Sequence, residues 1–213
     1  MDVVVAGGHG KVALRLLRLL AARGDRARGL IRSPEQAADL EAAGAEPVLC
    51  DLEREPAYDE FIAGADAVVF AAGAGPGSGP ERKRTVDYGA AVKLIESAER
   101  LQIRRYVMVS AMGVPRPETW ADAMVPYYSA KAEADRALEA SRLDPTIVRP
   151  GRLTDEPGTG RVEVAPLLDH RGAIPRDDVA AVLLAVLDTP GTIRKSFDVI
   201  SGEVPIADAV GSL

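Results

Sequence analysis

The chain has one cysteine, Cys50, and two histidines, His9 and His170, among its 213 residues. A lone cysteine excludes an intrachain disulfide, and so few Cys and His side chains leave nothing from which to build a structural zinc site. No apolar run approaches the roughly 18 residues a membrane span needs. The N-terminus enters VVVAGG directly, with no basic segment, hydrophobic segment or cleavage site, so no export signal is expected and the expected address is cytoplasmic. Basic surplus is missing too: the formal charge of −6 and the lack of any basic stripe with interleaved aromatics argue against nucleic acid as a partner. A small-molecule substrate is the expected partner, with no membrane association, for a monomer or homodimer.

What is present is a soluble composition, 47% hydrophobic and 27% charged, in a chain long enough for one sizeable core. Short apolar runs alternate with amphipathic stretches throughout, the pattern of a βαβ series and a parallel sheet. Strands are predicted at 3–6, 27–31, 47–50, 65–72, 105–110 and 145–150. Helices are predicted at 11–22, from Pro34 to Gly44, at 82–101 and from about Tyr127 to Ser141. Cys50 falls in the third strand and is expected to be buried. A short helix is expected before Gly64. AGAGPGSGP, after the fourth strand, is too rich in glycine and proline for regular structure and is expected to be a mobile loop. After Gly151 come a polar loop (154–160), a hairpin piece RVEVA, a helix DDVAAVLLAVLDT and a last strand SFDVIS. The expected fold class is α/β: a Rossmann-like doubly wound parallel sheet of order 3-2-1-4-5-6, with helices on both faces and a short C-terminal cap. The whole chain, 1–213, is expected to be one domain, with 1–151 its core and 152–213 an abbreviated C-terminal segment.

Three constellations carry chemistry. AGGHGKVA parses as Gly8-x-Gly10-x-x-Ala13 or as Gly7-x-x-Gly10-x-x-Ala13. In either register glycines permit a sharp turn and close approach to a pyrophosphate, while the following helix supplies free N–H groups. It is not a P-loop, because Gly10-Lys11 is followed by Val12 rather than a hydroxyl residue. At the end of strand two stand Arg32 and Ser33, where an NAD site usually places a carboxylate. A guanidinium there suits the 2′-phosphate of NADP, the competing reading being a solvated arginine. In PYYSAKAEAD, Tyr127 precedes Lys131 by four residues, so both project from one helix face. An ammonium beside a phenol favours phenolate and brings tyrosine toward working range. Tyr128, three residues before Lys131, partly shares that face, and an amphipathic tyrosine with a salt-bridging lysine is the plainer alternative.

The ordered set AGGHGKVA, Arg32, Asp51-Leu52, Ala71-Ala72-Gly73, VMVSAMG, PYxxAK and RPG resembles the short-chain dehydrogenase/reductase superfamily, in its atypical NAD(P)-binding, epimerase/dehydratase-like branch. TVDYGAAVKLIESAER and IPRDDVAAVLLAVL are similar to that branch as well, so the resemblance covers nearly the whole chain. It implies that Gly7, Gly8, His9, Gly10, Lys11 and Val12 wrap the pyrophosphate, with Arg32 on the 2′-phosphate and Ser33 beside it. Asp51 and Leu52 would border the adenine, Ala71, Ala72 and Gly73 would line the ribose, and Pro150 and Gly151 would shape the nicotinamide pocket. Ser110, Tyr127 and Lys131 would form the catalytic set. Tyr127 would protonate a carbonyl as hydride leaves NADPH, Lys131 would bind the nicotinamide ribose and lower the tyrosine pKa, and Ser110 would orient the carbonyl. NADP(H) is the expected cofactor, with NAD(H) admitted.

Two departures qualify what the resemblance implies. Ala111 stands where many relatives carry a second serine, so Ser110 is the provisional choice. Too little chain follows Gly151 for the larger substrate domain of sugar-nucleotide epimerases. A small pocket is therefore expected, roofed by loops 73–80, 112–125 and 152–170, with Trp120 and Met124 either lining it or simply packing. His9 is expected to be a polar cap rather than a catalyst, and Lys11 to supplement the phosphate charge or point into water. The expected function is an NADP(H)-dependent oxidoreductase acting on a small carbonyl or related acceptor. The alternatives are a cofactor sensor like the NmrA-like relatives, and an NAD-dependent epimerase or dehydratase.

Overall fold

A computed structural model of the chain describes residues 1–75 and 77–213; of the expected mobile loop AGAGPGSGP, Pro76 lies outside the described residues. The first half is a regular βα series: β1 (Asp2–Ala6), α1 (Lys11–Ala22), β2 (Arg26–Ile31), α2 (Ala37–Ala42), β3 (Glu46–Leu49), α3 (Asp59–Ile62) and β4 (Ala67–Phe70). After β4 comes one helical run in three parts: α4 (Pro80–Arg82), a π-helical stretch (Lys83–Ala90) and α5 (Ala91–Arg100). Then follow β5 (Arg105–Val109), α6 (Val125–Glu139), β6 (Asp144–Pro150), β7 (Arg152–Thr154), β8 (Arg161–Ala165), β9 (Ala173–Pro175), α7 (Arg176–Asp188), β10 (Lys195–Ser201), β11 (Val204–Pro205) and α8 (Ile206–Gly211).

Nine strands form one sheet in the order β3-β2-β1-β4-β5-β6-β10-β8-β11, so the expected 3-2-1-4-5-6 core is present and extended at one edge. The pairs are parallel from β3 through β10, whereas β8 runs antiparallel to both β10 and β11. β7 and β9 form a separate two-stranded parallel pair. β7, β9 and β11 are not among the predicted strands, because strands of two or three residues carry no period to detect. Cys50 is buried as expected but lies one residue beyond β3.

Helices on both faces explain why the central strands are apolar without alternation. In β1, Val3 and Val5 pack with Leu16, Leu17 and Leu20 of α1 and Val179, Val182 and Leu183 of α7, whereas Val4 and Ala6 pack with Leu94 and Ala98 of α5 on the opposite face. All four strand residues are fully buried.

At the C-terminal end of β1 the backbone comes unusually close to its neighbours. Gly7 has φ +80°, and a Cβ there would lie 2.7 Å from the Ala72 Cα; a Cβ on Gly8 would lie 2.8 Å from the Gly29 Cα. Both obstacles are backbone, so no rotamer change relieves them. We expect Gly8→Ala to destabilise the protein by about 1–3 kcal/mol, read as a lower Tm in scanning calorimetry. Gly211→Ala, with nothing within 4 Å, should leave Tm level or slightly higher.

Candidate functional site

β1 sits between β2 and β4, so the crossovers leave the sheet in opposite directions there and a crevice opens at the carboxyl ends of the strands. A cavity of about 1600 Å³ lies in it, joined at Gly10 and Ala71–Gly73 to a lobe of about 310 Å³ toward β2 and β3.

The glycine turn forms the floor where the two meet. The Gly8 N–H donates to the Leu30 carbonyl at 2.8 Å, and the Gly10 N–H donates to the Gly7 carbonyl at 2.8 Å. Gly10 is the N-cap of α1 and has no side chain to cap it, no acidic residue occupies the first turn, and Ala13 is fully buried against the sheet. The helix therefore presents uncapped first-turn N–H groups and its positive dipole end to the cavity. Gly7 carries the positive φ and Gly10 the cap, which is the Gly7-x-x-Gly10-x-x-Ala13 register.

His9 and Lys11, which the resemblance placed on the pyrophosphate, are held by protein groups. His9 Nε2 is 2.7 Å from Asp39 Oδ2, and its Nδ1 is 3.3 Å from Gln36 Nε2, which ties the ring to the segment after β2. Lys11 Nζ donates to Asp155 Oδ2 at 2.6 Å across the crevice, and Arg176 donates to the other oxygen of that carboxylate at 2.9 Å. These cations beside Asp155, with the Lys11 hydrogen bond foremost, hold its carboxyl below the usual range.

The lobe contains Arg32, Asp51 and Leu52, together with Gly7, Ala71, Ala72 and Gly73. Arg32 is exposed, and among the described residues its side chain enters no ion pair; only its main-chain N–H is bound, by Gln36 Oε1 at 3.2 Å. Ser33 is the N-cap of the 3-10 turn Pro34–Gln36, and its N–H lies 3.4 Å from the same oxygen. Gln36 thus organises His9, Arg32 and Ser33 together, a role the sequence did not single out. Asp51 Oδ1 accepts from the Glu53 N–H at 3.0 Å, while the Leu52 carbonyl accepts from Lys93 Nζ at 2.7 Å and from the Tyr58 hydroxyl at 2.5 Å. Cys50 also lines the lobe, and burial pushes its thiol up to about 12, against the thiolate form.

At the other end of the cavity α6 presents Tyr127, Tyr128 and Lys131. Lys131 is 4% exposed; its Nζ donates to the Val109 carbonyl at 3.1 Å and the Ala72 carbonyl at 3.5 Å, and lies 3.4 Å from Asp87 Oδ1. Asp87 comes from the π-helical stretch, is 1% exposed, and accepts through Oδ2 from the Ala74 N–H at 3.2 Å. The two tyrosines differ in company. Tyr128 stacks on Trp120 with ring centroids 5.4 Å apart, whereas Lys83 Nζ stands 5.5 Å from the centroid of Tyr127. Burial, with Asp87 nearby, pushes the Tyr127 phenol above its ordinary value. The expected depression by Lys131 is thus reversed in the protein alone. Asp87 offsets the ammonium charge, and desolvation governs the phenol.

Ser110 and Ala111 both line the cavity, Ser110 4% exposed and Ala111 half-buried. Ser110 Oγ and Asp135 Oδ1 complete no hydrogen bond, yet the hydroxyl is near enough to favour the charged carboxylate. Asp135, one turn beyond Lys131, pairs with buried Arg149 at 3.1 Å; burial nonetheless pushes its carboxyl up. Pro150 and Gly151 line the cavity, and a Cβ on Gly151 would lie 2.4 Å from the Gly172 carbonyl oxygen, so only glycine fits there. Loops 73–80 and 112–125 contribute to the walls as expected. From 152–170 only Arg152 and Leu153 do so, and Arg171–Ala173 and Arg176 complete that side. Met124 lines the cavity, while Trp120 packs beneath Tyr128 and donates through Nε1 to the Gly113 carbonyl at 2.8 Å. Among the described residues no group of three or more His, Cys, Asp or Glu side chains could hold a metal, and no helix is long and apolar enough to cross a membrane.

Comparison with known proteins agrees with this geometry. The NAD(P)H-binding family model matches residues 7–190. The chain is 45% identical over 217 residues to a Bacillus subtilis protein named uncharacterized sugar epimerase YhfK, with all of both chains covered. Its fold superimposes with TM-score 0.96 and 40% identity on a Bacillus halodurans protein described as a candidate NAD-dependent epimerase/dehydratase, covering all of both chains. It also matches, with TM-score 0.88 and 29% identity, the oxidoreductase ylbE from Lactococcus lactis, over 100% of this chain and 96% of that one. The uncapped glycine turn at the switch point of a Rossmann-like sheet accords with these full-length likenesses, and the chain belongs to the NAD(P)H-binding family.

Proposed function

We propose that the protein is an NADP(H)-dependent oxidoreductase that reduces a small carbonyl or related acceptor, with Tyr127 as acid and Lys131 as the cation that holds the reacting end in place. The carrying observation is a pair of adjoining cavities, one lined by an exposed guanidinium, the other by a buried ammonium and a tyrosine, with an uncapped helix N-terminus where they share residues. The residues present fit a dinucleotide phosphate. The α1 N–H groups suit the pyrophosphate, and Arg32 has a free bidentate fork for the 2′-phosphate. Asp51 and Leu52 would border the adenine, with Ala71, Ala72 and Gly73 along the ribose.

The bound nicotinamide would supply the hydride. On this reading Lys131 holds a ribose hydroxyl, its position set by two carbonyls and Asp87. Tyr127 keeps its proton at neutral pH and gives it from Oη to the carbonyl oxygen, so carbonyl, hydride and proton together make the alcohol. Pro150 and Gly151 would shape the nicotinamide pocket at that end of the cavity. Ser110 lines the same cavity, and its hydroxyl, without a hydrogen-bond partner among the described residues, would orient the carbonyl.

The names of two relatives favour a second reading, an epimerase that retains NAD and returns the hydride to the same molecule. Arg32 in place of a carboxylate supports the first reading over it, and protein purified with bound NAD would support the second.

We expect Tyr127→Phe to lower NADPH oxidation with the best acceptor from a panel of aldehydes, quinones and flavins by about 10²- to 10⁴-fold, with NADPH affinity unchanged. Equal turnover in wild type and variant would overturn the role of Tyr127, and no oxidation by wild type with any acceptor would favour a cofactor sensor. In fluorescence titrations Arg32→Ala should weaken NADPH binding by about 10- to 100-fold and NADH binding little. Equal losses would remove Arg32 from the phosphate.

A further inference from the structure

The walls of the main cavity carry six cationic side chains, Lys11, Lys83, Lys131, Arg152, Arg171 and Arg176, and a single carboxylate, Asp87. In a chain with 26 Lys and Arg against 32 Asp and Glu, that is a local inversion of the overall charge. Some of these cations are satisfied within the protein. Asp155 binds Lys11 and Arg176, and Asp87 faces Lys131. Arg152 and Arg171 have no carboxylate partner among the described residues; the one side-chain bond of Arg171 is to Thr119 Oγ1 at 3.4 Å. Both are exposed.

Their placement is set by backbone. Arg152 opens β7, directly opposite Ala173 of β9, and its N–H donates to the Gly172 carbonyl at 2.9 Å; Arg171 stands two residues before Ala173. The β7–β9 pair therefore brings the two guanidinium-bearing residues to one lip. That lip adjoins Pro150–Gly151, at the far end of the crevice from Arg32. The uncapped α1 terminus lies between them, so a dinucleotide laid along the crevice would have its own phosphates accounted for before reaching Arg152 and Arg171.

We infer that Arg152 and Arg171 form an anion subsite for the acceptor, which is a carbonyl compound bearing a carboxylate or phosphate. This rests on the acceptor site of the proposed function and adds its substrate class. Guanidinium groups match both anions through paired N–H donors, and a cavity of one sign raises the local concentration of such a ligand.

The test titrates NADP⁺-loaded protein by calorimetry with 4-carboxybenzaldehyde and its neutral methyl ester, and with glyceraldehyde 3-phosphate and glyceraldehyde. In each pair the charged member should bind at least 10-fold more tightly, and whichever pair shows the larger ratio names the anion. Arg152→Ala/Arg171→Ala should erase the difference while neutral-probe and NADP⁺ affinities hold; both side chains are exposed, and an unchanged Tm verifies the fold. Equal binding within both pairs, no binding of any probe, or an undiminished difference in the double variant would overturn the subsite. NADPH oxidation with the same probes separates the two readings. Arg-dependent anion binding without turnover of these probes or of any acceptor in the wider panel sinks the oxidoreductase and keeps the subsite, whereas turnover indifferent to charge does the reverse.

Discussion

The site depends on a backbone contact that leaves no room for side chains. Gly7 approaches Ala72 and Gly8 approaches Gly29 so closely that a Cβ at either would lie within 3 Å of main-chain atoms. This contact lets the chain turn from β1 into α1 within the width of the sheet, so that the helix begins at the crevice rather than above it. With Gly10 as a cap that has no side chain, the first turn of α1 keeps its N–H groups for an external acceptor. Arg32, Asp51 and Ala71–Gly73 follow from the same geometry, since each ends or succeeds a strand paired into this edge.

A second feature is charge buried along one face of α6. Lys131 and Asp135, one turn apart, meet Asp87 and Arg149 there. Buried ion pairs seldom add net stability over apolar residues of similar size. Ordinary core packing therefore gives little reason for these pairs, and holding an ammonium fixed at the cavity wall gives a better one. The π-helical stretch at Lys83–Ala90 belongs with it. A locally widened helix carries Asp87 to Lys131 while α5 continues to pack on the sheet.

Most of the fold was legible because parallel strands and their helices leave strong periodic signals. The 11–22 helix and the 3-2-1-4-5-6 core are cases in point. The glycine turn was legible as a motif, though only the backbone angles and close contacts separate its two registers. What the sequence concealed was partnership. Lys11 beside glycines resembles a phosphate ligand, yet Asp155, 144 residues later, holds it. Asp87 and Arg149 look like surface charges until the fold buries them. The same limit applies to Tyr127: spacing alone suggested a lowered phenol pKa, but burial and the Asp87 partner of Lys131 reverse the direction. Short strands such as β7 and β9 left no signal, and with them the lip carrying Arg152 and Arg171 was hidden.

The central claim is that a single crevice holds NADP(H) in one orientation, phosphate end at Arg32 and reactive end at Lys131. A crystal structure of the protein with NADP⁺ tests it directly. The 2′-phosphate is expected against the Arg32 guanidinium, the pyrophosphate on the first-turn N–H groups of α1, and the nicotinamide ribose within hydrogen-bond distance of Lys131 Nζ. A dinucleotide lying in the reverse direction, or one whose nicotinamide is remote from Lys131 and Tyr127, would contradict it.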